Sequence, residues 1–430
     1  MPARANHDPV KLSREPCEIR SLARSTGLTF PPSRLLLAAL LCLALFLPAH
    51  PGRASEADFI ATLSPAQQRE FKAWRTAKAH FERRLDAYWH EVEKRRKGRR
   101  PKRSGGKLYE ADDYVWTFPP EYKGPELSAG VENRWARYQA AEEKAQPKKA
   151  KQRLPGIDDF LAAARKYYGF EPSRISEAEF KRRYAREALA LGLTKEQVVR
   201  VYALETGGNG TADMQAGVHP ITKKGRPISS ALGYAQLLHA NTIGELVTHG
   251  DTFIARLRKM AGATRDPGRA RELQNKIAAL ERMLHSARSV PNDWYRHVDF
   301  AQTPRGYGMH AINLDGDIGP WLQSVKLKGL KKFAARKGVT NLSGEEIELM
   351  NLSGPATGLE MMQPVGLTAP TTNFFSRRAY YVNKMVMGKT SAELLAEFTW
   401  RMDRSTKQPG AVEFAQAFDQ VKPPEKLPWR

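Results

Sequence analysis

Cysteine is scarce in this sequence, with Cys17 and Cys42 the two examples among 430 residues. Both fall in an N-terminal segment that we expect to be removed on export. The rest of the chain therefore forms no disulfide and has neither a thiolate nucleophile nor a thiolate metal site. Alternating strand-like runs are also nearly absent, while helical periodicity recurs. We therefore expect a mainly α fold.

Metal-ligand patterns are missing as well. None of the ten histidines has a metal-binding spacing. The pair Asp315 and Asp317, in DGD, lacks the third ligand and the terminal glutamate of a calcium loop. We interpret it as a turn that starts the following helix. The sequence predicts no metal and no cofactor.

Long hydrophobic runs are limited to residues 35–47, thirteen residues that are too short to span a membrane comfortably. A basic stretch precedes this run, and Pro48 and the small residues Ala54 and Ala57 follow it. This pattern predicts a signal peptide with an extended n-region over residues 1–54, and a periplasmic or secreted protein. An uncleaved membrane anchor is the alternative.

The chain carries 69 Lys and Arg against 46 Asp and Glu, a formal net charge of +23. An excess of positive charge of this size favours binding to nucleic acid, to an anionic membrane face or to an anionic polymer such as peptidoglycan. The basic run KRRKGRRPKR at residues 94–103 is typical of nucleic-acid binding, but export argues against that partner. We interpret the run as a solvated helix end. The helix that contains it could dock onto an anionic envelope surface.

Four regions follow from the pattern. Residues 1–54 form the signal peptide, and residues 55–153 a basic helical region and linker, with one long helix at residues 64–100. Residues 154–390 form a helical domain with a helical insertion near residues 251–289, and residues 391–430 a C-terminal helical tail. Residues 108–125 contain two proline breaks and should form a loop or short hairpin. The other predicted helices are 158–168, 176–191, 194–206, 241–248, 271–287, 318–335, 344–351, 391–402 and 412–418.

The helix at residues 194–206 carries the strongest chemical signal. A capping box at Thr194 opens it and Gly207 ends it. Glu205 falls on its apolar stripe, together with Val198, Val201 and Tyr202. A carboxylate in the last turn opposes the helix dipole, and burial also disfavours the anion. Glu205 is therefore a candidate general acid for glycosidic cleavage.

Glycoside hydrolysis usually needs two carboxylates. Asp213, eight residues after Glu205 in a glycine-bearing loop, is the candidate for the second. A loop aspartate that bonds to its own turn is the alternative interpretation.

Four segments, in order, resemble the motifs of the lysozyme-like lytic transglycosylases of the soluble type. ALETGG and SALGYAQLL resemble that family's Glu-Ser and Gly-x-x-Gln motifs, with Thr206 in place of the serine. HAINLDGDIGPWLQ resembles its Ala-Tyr-Asn-x-Gly segment, with Ile312 in place of the tyrosine, and RRAYYVNKMV resembles its Tyr-Val motif. The resemblance covers roughly residues 155–388.

The resemblance implies a lysozyme-like domain that cleaves the β-1,4 bond between N-acetylmuramic acid and N-acetylglucosamine of peptidoglycan. Glu205 would act as acid and then base, while the sugar's own 6-hydroxyl attacks and leaves a 1,6-anhydromuramoyl end. The residues implied to bind substrate are Gly233, Tyr234, Gln236, Asn313 and Tyr381. Two alternatives stay open: a hydrolytic muramidase that uses Asp213, and a non-catalytic peptidoglycan-binding envelope protein, which Ile312 favours.

Overall fold

The computed structural model describes residues 56–145 and 153–422. Phe59–Arg430 forms one compact unit, and of the part before it only the start of the first helix is described. The predicted signal peptide lies outside the described residues, as does most of the linker expected at residues 144–153. No helix among the described residues is long and apolar enough to cross a membrane.

The described residues form seventeen α-helices and no β-strand, which confirms the mainly α fold. Three 3₁₀ turns lie at Ala111–Asp113, Ala311–Leu314 and Thr371–Asn373. The α-helices are α1 Glu56–Ala61, α2 Pro65–Ser104, α3 Ala129–Ala145, α4 Ile157–Tyr168, α5 Glu177–Ala190, α6 Lys195–Thr206, α7 His239–Ala263, α8 Pro267–Arg288, α9 Trp294–Ala301, α10 Pro304–His310, α11 Ile318–Ala335, α12 Gly344–Ser353, α13 Pro355–Met361, α14 Pro364–Thr368, α15 Arg377–Val382, α16 Ser391–Ser405 and α17 Pro409–Gln420.

The long basic helix α2 is confirmed as one element. Its N-cap Ser64 and Gln67 exchange the two hydrogen bonds of a capping box, and Pro65 occupies the first turn. Its C-terminal half is held by the buried Arg99, whose Nε donates to Glu360 Oε1 of α13 at 2.6 Å. The basic run is therefore not only a solvated helix end, because one of its arginines is an internal ion-pair partner.

The helical pair α7 and α8 covers the predicted insertion. The two helices are antiparallel, as the ion pairs Arg288–Asp251 and Arg258–Glu281 across them require. Their apolar faces contribute Phe253 and many other side chains to the largest buried cluster. Side chains of α4, α10 and α11 also belong to this cluster. Residues 251–289 are therefore part of the core of the unit and not an addition to its surface.

A second core joins α5, α6, α11, α12 and α17 around a group of aromatic rings. Phe414 of α17 packs against Tyr202 of α6 with ring centroids 5.2 Å apart, and against Tyr184 of α5 at 5.4 Å. Phe398 of α16 is fully buried in a third apolar cluster, which also contains Trp89 of α2 and Tyr380 of α15. This placement corrects the prediction of a C-terminal tail from residue 391, since α16 and α17 complete the core beside α6.

The start of the unit has a small core of its own, formed by α1, the first half of α2 and α3. Phe59 and Phe71 pack edge to face, with Trp135 of α3 about 5 Å from both. No predicted helix corresponds to α3. The segment between α2 and α3 is a loop with one 3₁₀ turn, which is the first of the two forms expected for residues 108–125.

Candidate functional site

Glu205 occupies the last turn of α6. Thr194 and Gln197 form the predicted capping box, with both hydrogen bonds at 3.1 Å. The helix stops at Gly207, whose φ of 64° is the left-handed conformation that glycine adopts without strain. Glu205 as a residue is partly exposed, while most of the residues before it on α6 are buried.

Two side chains of α12 hold the Glu205 carboxyl. Asn351 Nδ2 donates to Glu205 Oε1 at 3.1 Å and is 3.3 Å from Glu348 Oε2. Glu348, which is buried, is also hydrogen-bonded to Glu205 directly. A capping box at Ser343 fixes the start of α12 and so sets which face of this helix meets α6.

Burial controls the protonation of this pair. It raises the pKa of Glu205 to about 7, although hydrogen bonds from Glu348 and Asn351 partly offset the rise. Burial and the neighbouring charge of Glu205 raise the pKa of Glu348 well above its usual range. Glu348 therefore keeps its proton and donates it in a hydrogen bond to Glu205. The two carboxyls titrate as a pair.

Two further ionisable groups complete an acid cluster, defined as Glu205, Glu348, Asn351, Lys326 and Glu245. Burial lowers the pKa of Lys326 on α11, while the charges of Glu245 and Glu348 oppose that change. Burial raises the pKa of Glu245 on α7 to about 7, and Lys326 opposes this rise. Lys326 thus interacts with two carboxyls, those of Glu245 and Glu348, and the cluster joins α6, α7, α11 and α12.

No group of three His, Cys, Asp or Glu side chains in the described ranges is arranged to hold a metal ion. At the DGD segment, Asp315 Oδ1 accepts the N–H groups of Asp317 and Ile318, which confirms the predicted turn. The Lys276 ammonium lies 2.9 Å from Asp315 Oδ2 and 2.5 Å from Asp317 Oδ2. A lysine thus supplies the cation that these two carboxylates need.

Gly233 and Tyr234 serve the core. Gly233 has φ +79°, and a Cβ there would lie 2.5 Å from Gln323 Nε2, so the glycine is needed for packing and not for sugar access. Tyr234 is 1% exposed and donates to Glu177 Oε2 at 2.6 Å. These positions correct the prediction that the two residues contact substrate.

Asn313 is buried too. Its Nδ2 donates to Thr242 Oγ1 and to the His310 carbonyl, both at 3.0 Å, so its predicted substrate contact is also corrected. Gln236 is partly exposed, and its Nε2 donates to the carbonyls of Met214 and Gly233. Its Oε1 receives no hydrogen bond from the residues that the structure describes. Gln236 can therefore still accept a hydrogen bond from a ligand.

Asp213 is held by ion pairs. Arg174 and Lys223 each lie 2.8 Å from its carboxylate, and Thr211 Oγ1 donates to it at 2.6 Å. Burial alone would raise the pKa of Asp213, but hydrogen bonds from these three side chains lower it to about 2. This geometry fits an aspartate that anchors its own loop.

Tyr381 lies on the surface formed by α15 and α2. It is 43% exposed, and its ring meets Trp89 at 5.8 Å and Tyr380 at 5.1 Å between centroids. Tyr380 is buried, and its hydroxyl oxygen accepts a hydrogen bond from the Gly388 N–H at 2.8 Å. Neither tyrosine bonds to Glu205.

The residues predicted to surround Glu205 are therefore not the ones that contact it. Within the described part of the chain, none of the six other predicted site residues makes a hydrogen bond or ion pair with its carboxyl. Glu348 and Asn351 do, and neither was among the predicted site residues. The signal was available, since Glu348 interrupts the apolar run IELM of a predicted helix, just as Glu205 lies on the stripe of α6.

The pair of α6 and α12 carboxyls can deliver a proton near neutral pH, because one member is held protonated and the other titrates close to 7. Comparisons with family models, with curated proteins and with solved structures find no match.

Proposed function

We propose that the protein is an exported lytic transglycosylase with a lysozyme-like domain, which cleaves the β-1,4 bond between N-acetylmuramic acid and N-acetylglucosamine of peptidoglycan. The observation that carries this proposal is the hydrogen-bonded set of Glu205, Glu348 and Asn351, in which Glu205 has a pKa of about 7. A general acid is most effective when its pKa lies near the working pH. The motif resemblance around Glu205 supports a glycan substrate.

The position of Glu348 favours a mechanism with one catalytic carboxyl. In glycosidases that use two, the carboxyls stand about 5 to 9 Å apart on opposite sides of the scissile bond. Glu348 is hydrogen-bonded to Glu205, so no sugar fits between them. In the proposed reaction the 6-hydroxyl of the muramic acid attacks the anomeric carbon. No second carboxylate has to activate a water, because the nucleophile belongs to the substrate.

Glu205 first gives its proton to the glycosidic oxygen as the bond to the anomeric carbon breaks. It then accepts the proton of the 6-hydroxyl as the anhydro ring closes. Between these steps its anion is stabilised by the O–H of Glu348 and the N–H of Asn351. Of the residues that the resemblance implies, the partly exposed Gln236 and Tyr381 are the two that we assign to the glycan.

A non-catalytic peptidoglycan-binding envelope protein is the second candidate. It is favoured by the lack of polar contact between Glu205 and Gln236, and by Ile312, which is fully buried where the family has a tyrosine. The hydrolytic muramidase has less support, because Arg174 and Lys223 already engage the Asp213 carboxylate.

The experiment is digestion of purified peptidoglycan followed by mass spectrometry of the muropeptides. Wild-type protein should release products one water lighter than hydrolysis products and without a reducing end. Glu205→Gln should reduce the rate at least about a hundredfold, the usual scale for a general acid. Glu281→Gln, at an exposed glutamate of α8, is the matched control and should act as wild type.

Two further variants separate the mechanisms. Glu348→Gln keeps a neutral hydrogen-bond donor beside Glu205, so its rate should stay within about tenfold of wild type, below the hundredfold expected of a catalytic base. Reducible products, together with loss of activity in Asp213→Asn, would establish hydrolysis instead. Binding to peptidoglycan with no cleavage product would establish the non-catalytic candidate.

A further inference from the structure

A basic groove runs along the first half of α2, far along the chain from the acid cluster. Its volume is about 1080 Å³, and it lies between α2 and the loop at residues 118–124. None of its lining residues belongs to the acid cluster. Those that matter for its chemistry are Lys72, Arg83, Arg84, Phe118, Tyr122 and Lys123.

The walls of the groove are fixed by contacts within the protein. The Lys78 ammonium lies 4.5 Å from the centre of the Tyr122 ring and 5.2 Å from that of Phe81. These two rings meet edge to face at 5.6 Å, and the Tyr122 hydroxyl donates to the Pro125 carbonyl at 2.7 Å. The groove is therefore formed before any ligand arrives, which reduces the ordering cost of binding.

The groove has an excess of positively charged side chains. Lys72, Arg83, Arg84 and Lys123 line it against one carboxylate, Glu121. None of the four cations forms an ion pair with a carboxylate in the part of the chain that the structure describes. They are therefore available for an anionic ligand.

A neighbouring groove of about 650 Å³, on the other side of Tyr122, has the opposite balance. Glu82, Glu126 and Glu132 line it against two cations. The excess of positive charge therefore belongs to one side of α2 and is not a general property of the helix.

The groove also offers an apolar surface to its ligand. Phe118 is 42% exposed and Pro119 and Pro120 adjoin it in the lining. Lys72 and Arg84 are twelve residues apart on one helix, which places them about 18 Å apart along its axis. A ligand that uses the whole groove is therefore extended, carries several anions and has apolar faces.

We propose that this groove binds a peptidoglycan strand at a second position, with stem-peptide carboxylates against Lys72, Arg83 and Arg84 and sugar faces against Phe118. The proposal rests on the proposed function, because the choice of peptidoglycan as the ligand comes from that proposed activity. Single-stranded nucleic acid shares part of this chemistry, since its phosphates suit the cations and its bases stack on aromatic rings. It is therefore a competing outcome of the test.

The test is co-sedimentation of the full chain with purified insoluble peptidoglycan, in the Glu205→Gln background so that the polymer stays intact. The charge-reversed variant R83E/R84E should bind at least about tenfold more weakly, and the loss should shrink at high salt, where exposed charges are screened. Phe118→Ala should weaken binding a few-fold at every salt concentration. The matched control is K97E/R100E, which makes the same charge change on the same helix outside the groove and should bind within about twofold of its parent.

Equal loss in the control would overturn the proposal in favour of general charge attraction. Binding of a single-stranded oligonucleotide that depends on the groove, without groove-dependent binding of peptidoglycan, would overturn it in favour of nucleic acid. The cleavage assay on the wild-type chain, with Glu205 intact, keeps the two proposals apart. Groove-dependent binding without anhydro products leaves this inference standing and removes the enzyme, whereas anhydro products with unchanged binding in R83E/R84E remove this inference alone.

Discussion

Replacing Glu205 by glutamine should change how the stability of the protein depends on pH. Folding raises the pKa of this carboxyl from 4.5 to about 7. The folded state therefore holds the proton more tightly than the unfolded state does. The stabilisation is fully present below pH 4.5 and is lost as the pH rises through 7. Glutamine has the same shape and no proton to lose, so the variant escapes this loss.

The size of the effect follows from the two pKa values. Each unit between the folded and unfolded pKa corresponds to about 1.4 kcal/mol, so the rise from 4.5 to about 7 corresponds to roughly 3 kcal/mol. Partial exposure of Glu205 and its coupling to Glu348 make this an upper value. Between pH 4.5 and 8 the variant should therefore gain up to about 3 kcal/mol in unfolding free energy relative to wild type.

The assay is urea unfolding of wild type, Glu205→Gln and the control Glu281→Gln at half-unit steps from pH 4.5 to 8. The quantity of interest is the difference in unfolding free energy between each variant and wild type, because titrating groups that do not interact with the substituted residue cancel in it. The control variant shows any change that does not depend on Glu205. A difference for Glu205→Gln that stays constant across this pH range would refute the reasoning, since the folded state would then not hold the Glu205 proton near neutral pH.

Two other buried groups give further predictions about unfolding free energy. The contribution of His310 changes with pH in the opposite direction to that of Glu205, and the prediction for Glu360 concerns a single pH. Burial lowers the pKa of His310 to about 3, so its contribution to stability is present above pH 6.5 and is lost as the pH falls. Between pH 6.5 and 4.5 the unfolding free energy of wild type should fall by roughly 3 kcal/mol through this residue, and urea unfolding of His310→Gln should show a smaller fall.

Glu360→Gln leaves Arg99 buried without its counter-charge and should cost about 3 to 5 kcal/mol of unfolding free energy at pH 7. A cost under about 1 kcal/mol would mean that water reaches this ion pair.

Local sequence signals predicted the helices well wherever a cap or a stripe was complete. Residues 318–335 are one helix as predicted, and the boxes at Ser64 and Thr194 form. The helix predicted at residues 241–248 instead continues to Ala263. Gly250 had the character of a helix breaker, but a Cβ there would lie 2.8 Å from Leu284 Cδ1, so the glycine permits close packing of α7 on α8. Tertiary packing of this kind overrides propensity, and the sequence does not display it.

The placement of the C-terminal helices could not be predicted for a related reason. The apolar positions of α17 indicate that one face is buried, but not against what. Phe414 meets Tyr184 and Tyr202, which lie more than two hundred residues earlier in the chain. Similarly, the apolar face of α3 packs through Trp135 against Phe59 and Phe71, and its mostly polar sequence does not indicate this contact.

The candidate site also has one part that local sequence predicts and another part that depends on tertiary packing. One helix was enough to identify Glu205, because an acid on an apolar stripe is visible in a single turn of sequence. Its partners Glu348 and Asn351 come from a helix about 145 residues further on, and only the packing of α12 against α6 brings them together.

Three residues of the motifs that resemble the transglycosylase family make packing contacts or hydrogen bonds inside the protein. Gly233 makes room for Gln323, Tyr234 bonds to Glu177, and Asn313 bonds to Thr242 and His310. These contacts maintain the loop and the helices on either side of α6, so their presence is explained whether or not a glycan binds. The case for catalysis therefore rests on the proton shared between α6 and α12, and on whether changing Glu205 alters both the pH dependence of stability and the cleavage of peptidoglycan.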